Sequence, residues 1–108
     1  MTDTFVALSD PTRRLLLDRL SEQGGLTLSD LSAELPMSRQ AVAKHLAVLE
    51  AAELVASERD GRCKRHYLNP MPLAKMARRW LGRFEDVPMT ALAGYHGSEG
   101  NQGFAPRM

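Results

Sequence analysis

The stretch SRQAVAKHLAVLEAAELV, residues 38–55, decides how this chain is read. It opens on Ser38, a residue type that caps helix N-termini by accepting a bond from a backbone amide of the first turn. Val42, Leu46 and Leu49 then recur at i, i+4 and i+7, the spacing of one buried helical face. Arg39, Gln40, Ala43, Lys44 and Ala47 fall on the other side. Taken alone, that polar side is either the solvated back of an ordinary core helix or a surface that a nucleic acid could meet. The segments on either side decide between the two.

Upstream, LTLSDLSAEL (residues 26–35) places Thr27 three residues before Asp30, a capping box with Asp in place of the commoner Glu. Leu28, Leu31 and Leu35 sit at helical spacing, and Pro36 ends the run. Two short helices joined by a turn of about three residues give the outline of a helix-turn-helix. Before them, Asp10 and Pro11 start another helix with the leucines 15, 16, 17 and 20 on one broad apolar side, closed by Gly24 and Gly25. A short helix over residues 4–9 carries Phe5 and Leu8.

Downstream the period changes. VASERDGRCKRHYL (residues 55–68) has Asp60-Gly61 at its centre, which predicts a β-hairpin with a tight two-residue turn. Its flanks are strand-like and basic near the tip. Pro70 and Pro72 end the second strand, and Leu73, Met76, Ala77, Trp80, Leu81 and Phe84 then form one face of a last helix, with Lys75, Arg78, Arg79 and Arg83 opposite. From residue 87 onward glycines and prolines dominate and core residues are few. The reading is therefore one domain over residues 1–86 and a mobile tail over 87–108.

Composition narrows the class. The 108 residues are 44% apolar and 25% charged, close to a globular average. The net charge of +1 hides an asymmetry. Between Met1 and Met37 three arginines face six carboxylates; between Ser38 and His66 six cations face four. The single cysteine, Cys63, builds no disulfide framework and points to a reducing interior. No apolar run suits a membrane span and no leader-like segment opens the chain, so a cytoplasmic location is expected.

The candidate chemistry is recognition rather than catalysis. No phosphate-cradling glycine loop, carboxylate pair or nucleophile–base arrangement is visible, so an enzyme is not expected. Arg39 and Gln40 have the donors and acceptors that read guanine and adenine edges, and Ala43 is small enough for close approach or for a thymine methyl. Ser38, the first amides of its helix and Lys44 suit phosphate oxygens. His45 either bonds within the domain or reaches a phosphate. At the hairpin tip Arg59, Arg62, Lys64 and Arg65 form a compact basic projection, able to lie along a phosphate chain or in a minor groove. Cys63 and His66 could offer a metal two ligands, but two do not close a site, and neither a metal nor a cofactor is expected.

The order of elements, four helices, a basic hairpin and a last helix, is that of a mainly α winged helix-turn-helix. The segments FVALSDPTRRLLLDRL, SDLSAELPMSRQAVAKHLAVLEAAELV and RDGRCKRHYLNP resemble the ArsR family of bacterial winged helix-turn-helix repressors, over about Phe5 to Phe84. The resemblance implies a homodimer built from the first and last helices, with Phe5, Leu8, Met76, Trp80 and Phe84 at its interface. It also implies double-stranded DNA carrying an inverted repeat as the partner, and repression of the chain's own or a neighbouring operon. On that pattern Ser38, Arg39, Gln40, Ala43, Lys44 and His45 lie on the recognition helix, and Arg62, Lys64 and Arg65 on the wing. Metal-sensing members carry a cysteine pair in the helix before the turn, or acid and histidine ligands on the last helix. Here neither place holds Cys or His, so the chain resembles the metal-independent branch. The other class of function open to this fold is a protein-interaction module that binds no DNA, against which the basic wing and Arg39 argue. Glu53 stands where the family has glycine (EAAGLV). A left-handed helix-ending conformation is expected there, at a cost of about 1 kcal/mol for a residue with a Cβ.

Overall fold

The structure, a computed structural model, describes residues 3–81. Its elements run α1 (Thr4–Leu8), α2 (Pro11–Glu22), α3 (Leu28–Ser32), α4 (Arg39–Ala51), β1 (Val55–Asp60), β2 (Cys63–Leu68) and α5 (Met71–Leu81). This is the expected winged helix-turn-helix order. The chain divides into two compact units, residues 1–74 and 75–108, so α5 begins in the first and continues into the second. Among the described residues no helix is long and apolar enough to cross a membrane.

Each helix starts where its side chains satisfy the free amides of a first turn. Asp10 accepts from the amides of Thr12 at 2.7 Å and Arg13 at 3.2 Å, with Pro11 at the first helical position. The capping box of α3 is complete: Asp30 N–H donates to Thr27 Oγ1 at 3.1 Å and Thr27 N–H donates back to Asp30 Oδ2 at 3.0 Å. Thr27, first through its backbone amide and then through its side chain, lowers the Asp30 carboxyl pKa from its ordinary value. Ser38 caps α4 by accepting from Ala41 N–H at 3.1 Å. Met37 just before that cap and Val42 four residues into the helix both pack into the core, at the positions of a hydrophobic staple.

The core forms where these faces meet. Leu16, Leu17 and Leu20 of α2, Leu31 of α3 and Val42, Leu46 and Leu49 of α4 are all buried, with Leu26 and Leu54 from the connections and Val55 of β1. Leu15, expected on the same broad face as its neighbours, is instead 44% exposed. Three consecutive positions turn through most of a helical circle, so one of three adjacent leucines must leave the buried side. The helix before the turn is also shorter than its sequence pattern. It ends at Ser32, and Leu35 N–H bonds Ser32 O in a turn of its own. The link to α4 is therefore longer than the turn of about three residues that the spacing suggested, because Leu35 reaches the core from the connection and not from the helix.

The wing is an antiparallel pair in which Val55 faces Leu68 at the base and Asp60 faces Cys63 at the tip. The two turn residues are thus Gly61 and Arg62, one position later than the Asp60-Gly61 turn expected from sequence. Gly61 has φ +64° and Arg62 is not among the positive-φ residues. Positive φ at only the first central residue is the type II′ pattern, for which glycine is suited at that position. The base of the wing is tied to the α2–α3 link. Gly25 N–H donates to His66 O at 2.8 Å and His66 N–H donates to Leu26 O at 2.9 Å.

Glu53 adopts φ +61°, the left-handed conformation expected for it. Leu54 N–H bonds Leu49 O and Glu53 N–H bonds Glu50 O, both at 2.9 Å, which together make a Schellman motif. Leu49 and Leu54, the apolar pair of that motif, are both fully buried. Replacing Glu53 by Gly is expected to raise stability by about 1 kcal/mol, measured as a higher melting temperature; an unchanged or lower one would count against strain at this position.

Candidate nucleic-acid interface

The outer face of α4 is polar and accessible. Arg39, Gln40 and Lys44 are exposed, Ala43 is half-buried, and Ser38 sits at the cap. The amides of Arg39 and Gln40 open the helix with no intrahelical acceptor, leaving them and the positive end of the helix dipole for an anion. Arg39 is not loose: its Nη2 donates to Ser29 Oγ at 2.6 Å, bracing α4 against α3 across the turn.

The wing brings its cations beside this face. Arg62 is exposed at the turn, and Lys64 Nζ lies 3.4 Å from Glu50 Oε2 near the end of α4. Arg59 and Lys64 are directly opposed in the strand register. Two like charges at that spacing repel, which costs the hairpin some stability but concentrates positive potential at the tip. Between α3, α4 and β2 lies a crevice of about 420 Å³, whose charged lining is Arg39, Glu50, Arg62 and Lys64. Arg39 and Ala43 of α4 thus share one concave surface with Arg62 and Lys64 of the wing.

Besides Arg39 and Lys64, two more of the expected contact residues are engaged inside the domain. Arg65 donates through Nε to Asp60 Oδ2 at 2.8 Å and through Nη1 to Gly25 O at 2.9 Å. The Asp60 hydrogen bond, together with its charge, raises the Arg65 pKa above the ordinary arginine value. Its first role is to brace the hairpin against the α2–α3 link. His45 is half-buried, and its Nδ1 lies 3.2 Å from Nη1 of Arg13. A guanidinium has no acceptor, so Nδ1 accepts and the neutral ring carries its proton on Nε2. Arg13 also donates to Ala7 O at 2.8 Å and Val6 O at 3.2 Å, joining α1, α2 and α4 in one knot. Sequence reading gave no hint of this knot, since Arg13 and His45 lie far apart along the chain.

For His66 the sequence favours a structural or wing-surface role over metal ligation, and the structure buries it. Its side chain is 5% exposed, and its Nδ1 bonds Leu26 O at 2.9 Å. Cys63 is exposed. Among the described residues no group of three or more His, Cys, Asp or Glu is placed to hold a metal ion.

Of the residues expected at a dimer interface, Phe5 is 47% and Trp80 50% exposed, Leu8 is partly buried against the core, Met76 is half-buried, and Phe84 lies outside the described residues. No described residue of α5 is fully buried, despite its one-sided apolar pattern.

Comparison with known proteins agrees with this geometry. A sequence model of a helix-turn-helix domain matches residues 8–58. The HTH-type transcriptional regulator YuzN of Bacillus subtilis is 46% identical over 83 residues, spanning 71% of this chain and 90% of that protein. The transcriptional repressor SdpR of the same organism is 36% identical, over 64% of this chain and 76% of its own. Among solved structures, an ArsR-like transcriptional regulator from Rhodococcus sp. RHA1 superposes with a TM-score of 0.65 at 42% identity, covering 82% of each chain.

Proposed function

Because the chain belongs to the ArsR family of DNA-binding transcriptional regulators, we propose that it acts as a homodimeric, metal-independent repressor of its own or a neighbouring operon. The observation that carries this reading is the shared concave surface. Arg39 and Ala43 of α4 line the same crevice as Arg62 and Lys64 of the wing, and Gln40 and Lys44 are exposed on the same helix. A recognition helix reads base edges from its N-terminal end while a wing follows the backbone. Arg39 and Gln40 then carry base readout, and Ala43 allows the helix to approach. Ser38, Lys44, the free Nε2–H of His45, Arg62 and Lys64 take phosphates, and Arg65 holds the wing in place to do so. The homodimer is what the family resemblance implies, with Phe5, Leu8, Met76, Trp80 and Phe84 as its expected contacts. A dimer places two reading helices on successive turns of an inverted repeat. Metal independence rests on the donor set, since α3 and the described part of α5 carry no Cys or His.

The test is selection of bound duplexes from a random library by the intact protein, followed by gel-shift titration of the enriched duplex and of the DNA upstream of the coding region. Sedimentation of the free protein measures the dimer. Enrichment of an inverted repeat and a two-protomer species are expected; a protein that sediments as a dimer yet binds no DNA favours the interaction module. Arg62→Ala is expected to weaken enriched and random duplexes alike and to reduce the slope of log affinity against log salt by about one unit per lost phosphate contact. A loss confined to one sequence would move Arg62 from backbone contact to base readout.

A further inference from the structure

Within the crevice of the proposed DNA face lies a cluster in which one buried carboxylate oxygen lacks a hydrogen bond. Glu50 Oε2 is buried and accepts no hydrogen bond. Lys64 Nζ is 3.4 Å away on one side, and His66 Nε2 is 3.8 Å away on the other. His66 Nδ1 must donate to the Leu26 carbonyl, because a carbonyl can only accept. In a neutral ring Nε2 therefore turns a lone pair toward a carboxylate oxygen, and two acceptors face each other. The Lys64 ammonium is the charge that makes this tolerable, since an uncompensated buried carboxylate is costly.

The other groups around the cluster do not replace it. From α4 comes Arg39, itself held by Ser29. From the wing come Arg62 and Cys63, while Arg65 and Asp60 are paired with each other. Opposite His66 on β1 stands Ser57, which does not titrate. The part of α3 that lines the crevice offers no ionisable side chain.

We propose that Glu50 is a positioning residue that couples recognition helix to wing, handing its buried oxygen from Lys64 to a protonated His66 when DNA is bound. The inference rests on the reading of Lys64 as a phosphate contact. A phosphate that draws the Lys64 ammonium outward removes the charge from Glu50 Oε2 and adds negative potential nearby. Both changes favour protonation of the neighbouring imidazole. The proton comes from the buffer and binds Nε2, Nδ1–H stays on Leu26 O, and the resulting Nε2–H donates to Glu50 Oε2 once the two close to hydrogen-bond distance. The tie between α4 and β2 persists in the complex with a different cation, and DNA binding takes up a proton.

The experiment measures affinity of the intact protein for the library-enriched duplex by fluorescence anisotropy at about pH 6 and about pH 8, at fixed ionic strength. Wild type is expected to bind about fivefold or more tightly at the lower pH, the ceiling being about tenfold per pH unit for each proton taken up, hence about a hundredfold for a dimer that takes up one on each protomer. Glu50→Gln and His66→Gln are each expected to bring the ratio of the two affinities to about one. Circular dichroism shows which variants are folded. Calorimetric titration of wild type in two buffers of different ionisation enthalpy counts the proton without any substitution. Zero uptake, or a pH ratio that survives in folded His66→Gln, overturns the coupling and leaves DNA binding intact. No DNA binding at any pH overturns both readings.

Discussion

A protein carrying Arg39→Ala and Gln40→Ala together is expected to lose about two to three orders of magnitude of affinity for its enriched duplex while keeping most of its affinity for random DNA. Each side chain can make a bidentate pair with a base edge, and such a pair discriminates by roughly 1–3 kcal/mol. Phosphate contacts from the wing and the helix N-terminus remain, and these dominate binding to random sequence. Both residues are exposed, so their truncation opens no cavity. The bond that Arg39 makes to Ser29 is also exposed, and its loss is expected to change stability little. Gel shifts with enriched and random duplexes, run side by side, measure the difference. Equal losses on both would make these residues backbone contacts and move the reading surface elsewhere on α4.

Replacing Leu49 by Ala is expected to destabilise the domain by about 2–5 kcal/mol, the range for a fully buried leucine whose surroundings relax only in part. Leu49 has no exposed surface and belongs to the one core cluster that joins α2, α3 and α4. Its side chain and that of Leu54 form the apolar half of the motif that ends α4, so truncation loosens the helix end as well as the core. Against a total stability of about 5–15 kcal/mol this is a large share. For a domain of this size it corresponds to a fall in melting temperature of roughly 10–25 °C. A fall of only a few degrees would mean that the core closes over the missing atoms.

The parts legible in the sequence were those fixed by neighbours along the chain. Caps at Asp10, Thr27 and Ser38, the buried triplet Val42, Leu46 and Leu49, and the left-handed Glu53 all follow from residues within about two helical turns of one another. The hairpin was legible too, but its turn was placed one residue early. Asp-Gly and Gly-Arg both satisfy a tight turn, and strand register is settled by how Val55 and Leu68 meet the core. The extent of α3 was overestimated because periodicity shows that Leu35 is buried without showing that it is helical. What the sequence did not disclose is where long polar side chains fold back. Arg65 bonds Gly25, Arg13 meets His45 and His66 reaches Leu26, each across 32 to 40 residues. Nothing in local pattern separates an arginine reaching for DNA from one reaching for a carbonyl in its own domain.

The anchoring of β2 to the α2–α3 link gives the wing the mechanics of a cantilever. At its root two main-chain bonds and the Arg65 bond to Gly25 clamp it to the same support that carries the reading helix. Beyond that clamp residues 58–63 are all exposed, and the beam ends in a glycine turn. Among the described residues, the exposed Arg65–Asp60 pair is the only hydrogen bond or ion pair that residues 58–63 make besides the strand ladder, so compliance is expected to rise toward Gly61 and Arg62. In the proposed complex such a tip would follow a groove that narrows or widens from one site to the next, while the root would keep α4 at a fixed height. A device built this way tolerates variation in DNA shape at the flank of a site and little at its centre.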